Sequence, residues 1–251
     1  MKNVVLLIIG NEILDGLRED KNFAIGKEKL KDVAKFNAVL FVNDDIVSIK
    51  RVLKFSKSIG DIIITSGGLG LTPDDITLLA FSKAFNIPLK KTERKKKVVL
   101  KNLSKFDKDF YAKYVDELSL GLKGAVPLEN SKGVAAGERI DIGGKTFYIL
   151  PGVPSEFEAM LDIVRQQLKP TKEFQQEVRY NVFEKEVNLI RVLRHIEKKF
   201  KVQTASYPPI EEGETLRIIL KSKLNTSFKE SITYFENYLK KHGIKFYKLL
   251  D

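Results

Sequence analysis

The stretch DIIITSGGLGLTPDDIT, Asp61–Thr77, decides the fold. Asp61 to Thr65 is an apolar, β-branched run of the kind that fills a strand buried on both faces. Ser66-Gly67-Gly68-Leu69-Gly70 then turns the chain sharply. Thr72-Pro73-Asp74-Asp75 reads as a helix start, with threonine as N-cap, proline at the first helical position and acids in the first turn. A helix is expected over Asp74–Phe85. The same order of strand, turn and helix recurs on either side. Residues 3–9 (NVVLLII), Asn37–Val42 and Thr146–Leu150 read as strands. The turns after them, at Gly10–Asp15, Asn43-Asp44-Asp45 and Pro151–Pro154, lead to expected helices over Lys21–Lys35, Ile46–Ser58 and Ser155–Leu168. Four such units define an α/β domain built on a mostly parallel sheet. Residues 88–123 suit one or two basic helices, and 134–145 a hairpin arm turning at Gly143-Gly144.

The pattern breaks at Lys169-Pro170-Thr171, which divides the chain into domains 1–168 and 171–251. The second reads as strand (Val178–Phe183), helix (Val187–Phe200), two strands (Val202–Ser206, Thr215–Lys221), helix (Phe228–Lys241) and strand (Lys245–Leu249). That βαββαβ order is a split βαβ unit of the ferredoxin-like kind.

Composition narrows the chemistry. The 251 residues include no cysteine and two histidines, which excludes disulfides, thiolate metal sites, cysteine nucleophiles and a three-histidine metal site within one chain. The run Val4–Ile9 is too short to span a membrane, and a soluble cytoplasmic protein is expected. The net charge of +11 is concentrated in residues 90–123, with 11 basic against 5 acidic side chains, and in 171–251, with 16 against 11. These lysines alternate with acids and read as solvated helix faces, so no specific nucleic acid is expected. The second domain has only Gly213 and Gly243, so it lacks the GxxG loop with which a KH module clamps an RNA backbone. His195, set between apolar helical positions, reads as a packed or surface residue. No GxGxxG, GxxxxGK[ST] or serine-elbow motif is present.

In an open parallel sheet ligands bind beyond the carboxyl ends of the strands, at a topological switch point. That rule gathers Gly10-Asn11-Glu12, Ser66–Gly70, Asp74, Asp75, Thr77, Pro151-Gly152 and Glu156 on one rim. Glycines after a strand expose N–H groups to an anion, and the helix behind them favours phosphate. Carboxylates beside such a cradle repel the anion unless a cation lies between, so a divalent ion held by Asp75 is expected. Asp20 and Asn22 flank the next helix start, and Ser155 is placed to cap the last one.

Taken in order, Gly10–Gly16 (GNEILDG), Asp20-Lys21-Asn22, Asp61–Thr77, Asn130–Gly137 (NSKGVAAG) and Leu150–Met160 (LPGVPSEFEAM) resemble the competence/damage-inducible protein A (CinA-like) family, with its amino-terminal molybdenum-cofactor-biosynthesis domain. Residues 171–251, including Ala205-Ser206-Tyr207-Pro208, resemble that family's KH-like middle domain. Leu71 and Ala136 stand where the family usually has proline. The resemblance implies an α/β/α sandwich, an oxygen-ligated divalent metal (Mg, Mn or Co) and hydrolysis of ADP-ribose-type pyrophosphates. The wider superfamily implies instead molybdopterin binding, sometimes with adenylyl transfer, and a non-catalytic nucleotide-binding role is the third reading. Carried over by position, Asp75, Asp74 and Glu12 are the catalytic candidates, with Asp75 and Glu12 as metal ligands. Ser66, Gly67, Gly68, Gly70, Thr77, Asn22, Gly152 and Glu156 are the substrate-binding candidates. The expected partners are a nucleotide or pterin phosphate and further copies of the chain. The chain stops before the amidohydrolase domain of longer members, so no deamidase activity is expected.

Overall fold

The computed structural model describes residues 2–106, 112–168, 175–211, 213–223 and 227–249. The chain divides into two compact units, Met1–Thr171 and Lys172–Asp251. The expected break at Lys169-Pro170-Thr171 lies outside the described residues.

Unit one is built on β1 (Lys2–Ile9), followed by α1 (Asn11–Leu14), α2 (Asn22–Leu30), β2 (Ala34–Val42), α3 (Ile46–Ile59), β3 (Ile62–Ser66) and α4 (Thr77–Phe85). Then come β4 (Leu89–Lys91), α5 (Glu93–Leu103), α6 (Val115–Leu118), β5 (Leu120–Leu122), β6 (Val126–Leu128), β7 (Gly137–Ile142), β8 (Lys145–Leu150) and α7 (Pro154–Gln167). The six-stranded sheet runs β2-β1-β3-β8-β7-β6. Its first three pairings are parallel and its last two antiparallel. The hairpin of β7 and β8 turns at Gly143-Gly144, as expected.

β1 shows why the run of apolar residues was needed. Val4, Leu6 and Ile8 pack with Leu30 of α2 and Phe157, Met160, Leu161 and Val164 of α7. Val5, Leu7 and Ile9 pack on the other face with Ile49 and Leu53 of α3 and Ala80 and Phe81 of α4. Strand periodicity of two sends alternate side chains to opposite faces, so every position must be apolar. Each such buried side chain contributes about 1.5–3 kcal/mol. The result is the α/β/α sandwich.

Two expected helices start or end elsewhere. The first stops at Leu30, because Val33 and Ala34 turn into the core and β2 begins. The other, α4, begins at Thr77 rather than Asp74, with Ile76 at its N-cap, so Asp74 and Asp75 lie in a turn before it. Ser155 is not a cap either: Val153 takes the N-cap position, and Pro154 starts α7. Ala136 is buried among Val99, Leu103, Val115 and Leu118, and Leu71 packs against them.

Residues 88–123 are not all solvated. Lys95 of α5 is buried, its Nζ 2.6 Å from Glu138 Oε1 on β7, with side-chain exposures of 5% and 1%. The ammonium also donates to the Leu120 carbonyl at 2.7 Å, and the second carboxylate oxygen accepts the Leu122 N–H at 3.1 Å. One ion pair thus fastens α5 and β5 to the main sheet.

Unit two comprises β9 (Gln175–Val182), α8 (Glu186–Phe200), β10 (Gln203–Tyr207), β11 (Leu216–Lys223), α9 (Phe228–Lys241) and β12 (Phe246–Leu249), in the sheet order β10-β11-β9-β12. All neighbours are antiparallel, with β11 inserted between β9 and β10. That is the split βαβ arrangement the element order implies. Phe235 and Leu239 pack with Tyr180 and Ile196 in its core, and His195 stacks on Tyr234 at 4.9 Å between ring centroids. Among the described residues, no helix is long and apolar enough to cross a membrane.

Removing one member of a buried ion pair strands the other charge, at a cost of about 3–5 kcal/mol. Lys95→Met should show that loss in urea denaturation. Adding Glu138→Gln should recover part of it, because a neutral amide still accepts from Leu122. A double variant no more stable than Lys95→Met would contradict this role.

Candidate functional site

The order β2-β1-β3 places the switch point between β1 and β3. The chain leaves β1 for β2 on one side and later returns to β3 on the other. The connections beyond Ile9 and Ser66 therefore lead to opposite sides, and the carboxyl ends of strands at such a point are where open parallel sheets bind ligands.

Gly67 and Gly68 make this junction. Gly67 has φ of 116°, and a Cβ there would overlap the Ile9 carbonyl oxygen. Its N–H bonds the Leu150 carbonyl at 3.0 Å, tying the loop to the end of β8. Gly68 has φ of 67°, and a Cβ there would overlap Thr77 Oγ1. Thr77 is fully buried; its hydroxyl donates to the Gly67 carbonyl at 2.8 Å, and its N–H to the Gly68 carbonyl at 3.2 Å. With those carbonyls engaged, the loop carries free donors: among the described residues, the N–H groups of Gly68, Leu69 and Gly70 have no protein acceptor. Successive free amides at a chain reversal form an anion-binding concavity.

Asn22 enters from the start of α2. Asp20 holds it, accepting the N–H of Asn22 at 3.0 Å and that of Phe23 at 3.0 Å. Asn22 Nδ2 donates to Ser66 Oγ and to the Gly152 carbonyl, both at 2.7 Å. Gly152 itself lies against the backbone of Gly67. Asn22, Ser66, Gly67, Gly68, Thr77 and Gly152 are therefore one connected constellation.

The carboxylates gather at its edge. Asp75 Oδ2 accepts the Thr72 N–H at 2.8 Å and the Thr72 hydroxyl at 2.5 Å, which closes the turn and brings the carboxylate against Gly70. Glu12 folds back over Gly10. Asp44, at the end of β2, exchanges bonds with Asn11: its Oδ2 accepts the Asn11 N–H at 2.8 Å, and its own N–H reaches Asn11 Oδ1 at 3.2 Å. Burial pushes the Asp44 carboxyl above the usual carboxylate range, with the like charges of Glu12, Asp74 and Asp75 adding to the shift. Asp44 was missed because Asn43-Asp44-Asp45 reads as turn chemistry; only its position after a parallel strand signals the rim. Among the described residues, no three histidine or acidic side chains are placed to hold a metal ion. The carboxylates of the rim do not converge as a set of metal ligands.

Glu156 faces a different loop. Its Oε2 accepts from Asn130 Nδ2 at 2.6 Å, and its carboxyl lies against Gly133. Asn130 also donates to the Ala135 carbonyl at 3.0 Å and accepts the Lys132 N–H at 3.0 Å, while its own N–H bonds Asn102 Oδ1 at 3.1 Å. Glu156 thus organises the segment 130–135. Burial raises its carboxyl above the usual range, partly opposed by the Asn130 bond.

Residues 5–170 match the family described as "Probable molybdopterin binding domain". A CinA-like protein of Pseudothermotoga lettingae is 32% identical over 171 residues, covering 68% of this chain and 42% of that protein. Protein TK1472 of Thermococcus kodakarensis is 31% identical over 245 residues, covering 92% of this chain and 95% of its own. The crystal structure of the protein CinA with unknown function from Thermoplasma acidophilum superposes with a TM-score of 0.59 at 30% identity, covering 66% of this chain and 97% of that one. The chain belongs to the molybdopterin-binding domain family, and within it to the CinA-like proteins. It spans about two fifths to one half of the length of the CinA-like relatives it matches.

The Glu156 shift carries a pH signature. A carboxyl with a raised folded-state pKa makes folding less favourable once pH exceeds its unfolded value, near 4.5. Glu156→Gln keeps an acceptor for Asn130 and cannot ionise. Its melting temperature should exceed that of the wild type at pH 8, with the gap closing by pH 4. A gap that widens toward acid would contradict the assignment.

Proposed function

We propose that residues 1–168 bind a phosphorylated pterin of the molybdopterin type, its phosphate seated on the loop Ser66–Gly70. The observation that carries this reading is the run of unused amide donors at Gly68, Leu69 and Gly70, beside two glycines whose backbones leave no room for a Cβ. The free N–H groups supply charge-assisted hydrogen bonds to phosphate oxygens without costing the chain any internal bond. Thr77 fixes the loop from behind, and Asn22 with Ser66 and Gly152 fixes it from the side. Membership of the molybdopterin-binding family supports the pterin over other phosphorylated ligands.

A second reading, metal-dependent hydrolysis of ADP-ribose-type pyrophosphates, draws on the acidic side chains that border the loop, Asp75 against Gly70 and Glu12 over Gly10. On that reading Asp75 and Glu12 would hold a divalent ion, which would supply positive charge opposite a phosphate. It ranks second because the described side chains do not converge as a ligand set. Adenylyl transfer would use the same cradle with a nucleotide.

Asp75→Asn separates the readings. An amide oxygen still accepts from Thr72, so the turn persists while one negative charge beside the phosphate is lost. On the pterin reading, affinity for a pterin phosphate measured by calorimetry should rise at low salt. On the hydrolase reading, AMP release from ADP-ribose with Mg²⁺ or Mn²⁺ should be seen in the wild type and vanish in the variant. Gly68→Val, which drives a side chain into Thr77, should abolish pterin-phosphate binding. Unchanged affinity there would remove the cradle.

A further inference from the structure

We propose that the Asn22 side-chain carbonyl reads a hydrogen-bond donor on the ligand, an N–H or O–H group close to the phosphate arm. This rests on the reading of the rim as a phosphate-binding site and adds a chemical requirement to it. Asn22 is only 5% exposed. Both hydrogens of Nδ2 are committed, one to Ser66 Oγ and one to the Gly152 carbonyl, each at 2.7 Å. Turning the amide over would face Oδ1 toward the Gly152 carbonyl, acceptor against acceptor, so the orientation is fixed by the network. Oδ1 is left buried with no donor from the protein. Swinging the side chain away to find one would break both Nδ2 bonds, while Asp20 holds the backbone N–H at 3.0 Å.

A buried acceptor without a partner is costly, and sites built to bond a polar group discriminate strongly for it. Phosphate and sulfate oxygens, which carry lone pairs, do not serve Oδ1. The loop beside it offers the opposite polarity, with N–H groups at Gly68, Leu69 and Gly70. Ser66 joins the two, because it accepts from Asn22 and directly precedes Gly67. The site therefore fits a two-part ligand, with an anionic arm on the glycine amides and a donor-bearing group on Asn22. A pterin ring carries such N–H groups, and the ribose of a nucleotide carries O–H groups.

The experiment measures binding by calorimetry with three probes: 6-hydroxymethylpterin diphosphate, ADP, and sulfate as an anion with no hydrogen to donate. Asn22→Ala should weaken the pterin probe about tenfold or more, while sulfate affinity stays within about twofold. Loss confined to ADP would assign the donor to ribose hydroxyls and keep the inference. Equal loss on every probe would make Asn22 a strut only. No loss on any probe would mean that a resident water serves Oδ1. Either result overturns the inference and leaves the proposed function standing. Should the wild type bind none of the three probes, the phosphate-site reading falls and the inference with it. If Asn22→Ala does not fold, the wild type decides: methylating the ring nitrogens of the pterin probe should cost about the same factor, and equal affinity for the methylated and parent compounds, with ADP and 2′,3′-dideoxy-ADP also equal, overturns it.

Discussion

Gly67 meets the end of β1 so closely that no side chain fits between its α-carbon and the Ile9 carbonyl, and the rest of the site depends on that approach. It brings the ends of β1 and β3 together at the place where the sheet's connections diverge. The Gly67 N–H anchors to Leu150 at the end of β8, and Thr77 binds the carbonyls of Gly67 and Gly68 from the start of α4. Three strands and a helix thus hold a five-residue loop in which the N–H groups of Gly68, Leu69 and Gly70 have no protein acceptor among the described residues. The loop is fixed by packing and by its own hydrogen bonds, and such preorganisation is what efficient anion recognition requires.

The sandwich exists to hold this junction rigid. Alternate residues of β1 are locked against α2 and α7 on one face and α3 and α4 on the other, so its carboxyl end cannot shift without disturbing both layers. Farther along the sheet, the buried pair Lys95–Glu138 fastens α5 and β5 to β7. Such a pair adds little net stability against apolar residues of the same size. Its effect is to fix one arrangement of a basic segment against the sheet, beside the apolar cluster of Val99, Leu103, Val115 and Leu118.

Much of this was legible in the sequence. Val4–Ile9 and Ile62–Thr65 announce strands buried on both faces because only apolar, β-branched runs satisfy that environment, and the glycines after Ser66 mark the turn. What escaped reading has physical causes. Thr72-Pro73-Asp74-Asp75 has the composition of a helix start, yet Asp75 accepts two bonds from Thr72 and closes a separate turn, so the helix waits until Thr77. Lys95 looked like one of several solvated lysines because its partner stands 43 positions away. Asp44 sits among turn-forming residues, and its place beside the other carboxylates follows only from strand order. Asn22 was legible as a candidate, but not the direction of its amide, which depends on Ser66 and Gly152, themselves distant in sequence.

The account stands on the claim that the amides of Gly68, Leu69 and Gly70 receive a phosphate. Amide chemical shifts of the isotope-labelled protein, followed while 6-hydroxymethylpterin diphosphate is titrated, test that claim most directly. The three amides should move farthest downfield of any in the chain and saturate together along one binding isotherm. Saturable binding that leaves those three resonances in place and perturbs a different surface would contradict it.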